Sequence, residues 1–118
     1  MEARIKAGFR VKALVRRVQS QGASAFITRR GDEDAGAILI VLNGLAGTSR
    51  LLSQARNGTG DLIWLMVSGP DPQPDAGIAA DIAKRCARDP DLWVVEIESR
   101  DFSAYVDEPI EIVAERPR

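Results

Sequence analysis

Four carboxylates are the side chains best suited to chemistry: Asp32 and Asp34 in the acidic run Asp32-Glu33-Asp34-Ala35-Gly36, and Glu96 and Glu98 either side of Ile97. Converging in a cleft, they could hold a divalent cation and orient a water, the equipment of a small carboxylate-dependent, metal-assisted hydrolase or nuclease. Their spacing fits no ligand pattern, however. A calcium loop beginning at Asp32 needs Gly at its sixth position and Glu at its twelfth, where this chain has Ala37 and Asn43. A solvated hairpin turn accounts better for the run. Nucleases of the restriction-endonuclease type need an Asp followed one strand later by Glu-x-Lys. The corresponding stretch here, Thr48–Arg56, contains no acid, and Glu96-Ile97-Glu98 has no lysine beside it.

Other catalytic chemistries lack parts. The chain has no histidine, the commonest general base and metal ligand, so Ser-His-Asp and Cys-His arrangements and a conventional zinc site are excluded. The single cysteine, Cys86, cannot close an internal disulfide and falls on the apolar side of a predicted helix beside Ile82, where a thiol acts as a small core residue. Neither Gly-rich phosphate loop occurs. Gly44-Leu45-Ala46-Gly47 spells the G-x-x-G of KH domains but joins two predicted strands and carries no cation. No catalytic residue, metal site or cofactor is therefore assigned.

Charge distribution is the remaining signal. The first 30 residues hold eight Lys or Arg (Arg4, Lys6, Arg10, Lys12, Arg16, Arg17, Arg29, Arg30) against one acid, Glu2; the rest hold eight basic and sixteen acidic residues, so a formal total of −1 conceals a polarised chain. Arg16 and Arg17 at a helix end and Arg29 and Arg30 at a strand end would form one cationic edge if the two ends lie together. Such an edge suits a macromolecular partner, nucleic acid or an acidic protein, gripped in a salt-dependent way. The competing reading is that acids of the C-terminal half neutralise these cations within the fold or between subunits. Ile5 and Phe9 form a small apolar patch off the main helical stripe, a candidate surface for self-association.

The elements that must position these groups follow from periodicity. Ala7, Val11, Leu14, Val15 and Val18 share one face of a helix over residues 6–21, stopped by Gly22. Four strands follow at 23–30, 37–43, 48–56 and 62–68, separated by turn-rich links short enough to imply antiparallel neighbours. After Gly69-Pro70-Asp71-Pro72-Gln73-Pro74, Asp75 is placed to cap a second helix over 76–88, with Ile78, Ala79, Ile82, Ala83 and Cys86 inward. A fifth strand runs over 92–98, with Trp93, Val95 and Ile97 on one side and Val94, Glu96 and Glu98 on the other. The expectation is one α+β domain over residues 1–101, in the order α-β-β-β-β-α-β, with two helices on an antiparallel sheet of four to five strands. A tail, 102–118, follows, in which Ile110-Glu111-Ile112 is placed to form a short edge strand and Glu115–Arg118 to fray. The absence of a signal-like or bilayer-length apolar run implies a cytoplasmic protein with no membrane association.

Three stretches together resemble a known family: Arg4-Ile5-Lys6-Ala7-Gly8 running to Arg16-Arg17, Arg29-Arg30-Gly31-Asp32-Glu33-Asp34-Ala35-Gly36, and Asp89-Pro90-Asp91-Leu92-Trp93-Val94-Val95-Glu96-Ile97-Glu98. They are similar to the small alphaproteobacterial proteins of domain-of-unknown-function family 1491, over residues 3 to about 101. The resemblance implies a free-standing bacterial cytoplasmic protein and brings no assigned activity or catalytic residue. The reading that combines it with the charge split is a non-enzymatic interaction module.

Overall fold

The computed structural model describes residues 5–114, so Arg4 and the end Glu115–Arg118 lie outside the described residues. Helix α1 (Ala7–Ser20) is followed by strands β1 (Ser24–Arg29), β2 (Ile38–Asn43), β3 (Thr48–Arg56) and β4 (Leu62–Met66), a two-residue strand β5 (Gln73–Pro74), helix α2 (Asp75–Arg88), and strands β6 (Trp93–Glu98) and β7 (Ile110–Ile112). The strands form one sheet in the order β1-β6-β2-β3-β4-β7, with β5 pairing the start of β3.

The domain is α+β as expected, but its sheet is mixed and larger than an antiparallel set of four or five strands. β2, β3 and β4 are the antiparallel meander that their short links dictate. The crossover through α2, by contrast, returns β6 alongside β2 in parallel, and β7 lies parallel to β4. β6 thereby separates β1 from β2, and the link between those two strands is not a hairpin. Instead it arches over the start of β6, near enough that a Cβ on Gly31 or Gly36 would run into the carbonyl oxygen of Asp91. Asp32 N donates to that same carbonyl at 3.0 Å, and the Trp93 indole Nε1 donates to the Asp32 carbonyl at 2.7 Å, tying arch to strand.

Strand alternation separates two apolar layers. On one face Ile38, Ile40, Leu42, Leu52, Trp64, Trp93, Val95 and Ile97 pack beneath Val11, Leu14 and Val18 of α1. Segment 102–106 lies on this layer too: Ala104 is only 8% exposed, and Phe102, Tyr105 and Val106 are half-buried against it. Packing therefore continues past Asp101, and β7 completes the far edge of the sheet. The second face is smaller. Leu39, Val41, Leu51, Leu92 and Val94 meet Ile78, with Ile82 and Cys86 half-buried beside them. Ala79 and Ala83, expected inward, are exposed, because α2 leans on the sheet along its Ile78–Ile82–Cys86 line and leaves the alanine flank over an opening. Pro74, not Asp75, is the residue preceding the helix, and the Asp75 carboxylate accepts from Ser49 Oγ at 2.7 Å. Among the described residues no helix is long and apolar enough to cross a membrane.

Candidate functional site

Helix α1 contains no acidic residue between Ala7 and Ser20 but carries Arg10, Lys12, Arg16 and Arg17. At 3.6 residues per turn, Phe9, Lys12 and Arg16 fall within about 60° of one another, opposite the buried line of Ala7, Val11, Leu14 and Val18, and Ile5 lies just before the helix. Phe9 is 65% exposed and Ile5 53%. The stripe thus alternates apolar and cationic groups along one solvent face. Among the described residues Arg10, Lys12 and Arg16 make no salt bridge, whereas Lys6 lies 3.5 Å from Asp34.

The four arginines singled out by spacing do not share an edge. α1 and β1 run antiparallel through the tight connection at Gln21–Ala23, so Arg16 and Arg17 sit at that connection and Arg29 and Arg30 at the other end of β1. Six strand residues separate them by roughly 16 Å at 3.3 Å per residue. Each group has its own surroundings. Arg17 Nη2 pairs with Asp107 Oδ2 at 2.7 Å, a hydrogen bond and attraction that raise its pKa. Arg29 Nη2 donates to the Pro90 carbonyl at 3.1 Å. Arg30 lies 5.6 Å from the centroid of Trp93 and 3.7 Å from Glu33. Arg16 stays on the open stripe.

The four carboxylates do not converge either. Asp32 Oδ2 accepts from the backbone N–H groups of Asp34 and Ala35 at 3.1 and 2.8 Å, a local turn in the arch. The backbone carbonyls of Glu33 and Asp34 accept the first free N–H groups of α1, from Gly8 and Ala7, at 2.9 and 3.1 Å. Acids at a helix N-terminus are also favoured by its dipole. The acidic run is therefore the cap of α1 rather than an isolated solvated turn. Glu96 and Glu98 instead project on the α2 face of β6. Among the described residues no group of three or more Asp, Glu, Cys or His is placed to hold a metal ion.

One feature escaped the sequence reading. Because α2 covers only part of its face, a groove of about 410 Å³ opens beside it, with Val41, Val94, Ile78 and Ile82 for walls. At one end Asn43 Nδ2 donates to Glu96 Oε2 at 3.1 Å, and at the other lies Arg29. The exposed flank of α2 is not deducible from its alanines, which suit buried and open positions alike. The one legible trace is the pair Asn43 and Glu96 interrupting otherwise apolar strands.

Comparison with known proteins places the chain. The family described as protein of unknown function (DUF1491) matches residues 5–107. The chain belongs to the DUF1491 family. A DUF1491 protein from Caulobacter crescentus CB15 is similar in its crystal structure at 36% identity, with 92% of this chain and 100% of that one covered and a TM-score of 0.81. Its NMR structure covers 93% of this chain and 99% of that one at a TM-score of 0.77. The solution structure of protein Atu0922 from A. tumefaciens is similar at 25% identity, covering 98% and 100% of the two chains with a TM-score of 0.70. No curated protein matches. The DUF1491 assignment fixes family and fold, and brings no activity with it.

Proposed function

We propose that this DUF1491 domain is a non-enzymatic binding module whose α1 stripe engages single-stranded nucleic acid. The carrying observation is the exposed Phe9 ring one helical turn from Lys12 and two from Arg16, on a helix free of acids. An exposed aromatic flanked by cations offers a stacking platform and phosphate contacts together, the combination used for sequence-tolerant strand binding. Of the four arginines, Arg16 belongs to the stripe, while Arg17 is held by Asp107 and Arg29 and Arg30 lie at the far end of β1.

Fluorescence anisotropy with a labelled oligonucleotide tests the reading. If Lys12 and Arg16 each neutralise one phosphate, the log–log salt slope is about −1.4 and affinity falls roughly sevenfold from about 50 to 200 mM salt. Phe9→Ala weakens binding by about 1–3 kcal/mol, and Lys12→Glu with Arg16→Glu abolishes it. Failure to bind at low salt overturns the proposal. A dimer seen by light scattering and lost in Phe9→Ala, without oligonucleotide binding, would assign Ile5 and Phe9 to self-association instead.

A further inference from the structure

We infer that the groove beside α2 binds a small aliphatic zwitterion, an ω-amino acid with its ammonium between Glu96 and Asp75 and its carboxylate toward Arg29. A chain of pinned polar groups builds the first end. Asn43 and Ser49 are register partners on β2 and β3; Asn43 orients Glu96, and Ser49, only 2% exposed, orients Asp75 at 2.7 Å. Among the described residues each carboxylate keeps one oxygen, Glu96 Oε1 and Asp75 Oδ2, outside any hydrogen bond. Both free oxygens are acceptors suited to an ammonium. Phe26, 43% exposed and the cross-strand neighbour of Glu96, adds an aromatic face of the kind that attracts organic cations.

The middle of the groove is apolar, with Val41 and Val94 from the sheet and Ile78 and Ile82 from the helix, and suits methylenes. Its far end reverses the charge. Arg29 makes no salt bridge among the described residues, is anchored through Nη2 to Pro90, and has a buried Nε with no hydrogen-bond partner. Arg29 pairs with Val94, two residues along β6 from Glu96, so the backbone positions are about 7 Å apart along the strand, and the Arg29 side chain reaches further away, to Pro90. A linear ω-amino acid has its two charges at opposite ends of such a span. A plain alkylamine would leave Arg29 unanswered, and a plain carboxylic acid would face two carboxylates. The volume of 410 Å³ lies in the range of small-molecule sites, about 300–1,000 Å³.

Titration of the labelled protein with 6-aminohexanoate, followed by amide NMR shifts, tests the inference. Saturable shifts at Val41, Ile78 and Val94 are expected, with hexylamine and hexanoate each weaker by about tenfold or more. Glu96→Gln keeps the Asn43 contact and Arg29→Gln keeps most of the side-chain volume; both should lose about tenfold in affinity while melting like the parent protein. No shift at millimolar 6-aminohexanoate overturns the inference, as does equal binding of either half-ligand. The α1 stripe lies across the sheet, so oligonucleotide binding can fail without affecting this result, and the reverse also holds.

Discussion

Gly36→Ala is a sharp probe of the arch that carries the chain across β6. A Cβ at this buried position would collide with the Asp91 carbonyl and lie 2.9 Å from Trp93 Cδ1. Both neighbours lie at the start of β6, an interior strand that cannot retreat without disturbing its pairing to β1 and β2. Overpacking of this kind costs about 1–3 kcal/mol. Lifting the arch would also break the bond from Trp93 Nε1 to the Asp32 carbonyl, and a buried donor left unsatisfied adds about 1–3 kcal/mol. With partial relaxation the total is about 2–4 kcal/mol, or roughly 8–16 °C in Tm for a chain of this size. Thermal unfolding by far-UV circular dichroism measures the loss, and near-UV signal reports whether Trp93 has moved. A variant melting within about 2 °C of the parent would refute the reasoning, since the close approach would then be avoidable without cost.

Gly77→Ala should act in the opposite direction. Gly77 is in the first turn of α2 with nothing within 4 Å of an added Cβ, so the substitution stabilises by about 0.5–1 kcal/mol, read as a higher urea midpoint. Asp101 makes stability depend on acid. The Ser103 backbone N–H, then its side chain and that of Ser99, hold the Asp101 carboxyl below its usual 3.8. A depressed folded pKa contributes stability in full above 3.8 and loses it as pH falls through the folded value. Asp101→Asn should therefore melt below the parent near neutrality, with the gap closing in acid; a constant gap across the acid range would exclude the linkage.

The parts of this fold written locally were legible in the sequence. α1 is given by its 3.6-residue apolar stripe and ended by Gly22, and the β2–β3–β4 meander follows from its short turns. The position of β6 was not legible, because a strand arriving through a helical crossover can join either side of a sheet and only tertiary packing decides. Gly31 and Gly36 were the available hint: two glycines bracketing an acidic turn mark a close backbone passage as readily as a hairpin. At the candidate site, Ile5 and Phe9 were visible as an apolar pair off the main stripe. That Phe9 shares a line with Lys12 and Arg16 follows from the same helical count. The supposed four-arginine edge failed because two consecutive antiparallel elements bring their joined ends together and send the other ends apart.

The insertion of β6 between β1 and β2 also bears on how the molecule comes into being. A ribosome emits both flanking strands, and the whole meander, well before Trp93–Glu98 emerges. Until then β1 has no strand partner and β2 presents a bare border, apolar from Ile38 to Leu42. Assembly must wait for nearly the entire chain, which makes this a topology of long-range closure and slow maturation. The nascent protein is accordingly most vulnerable to clumping just before its last central strand slots home.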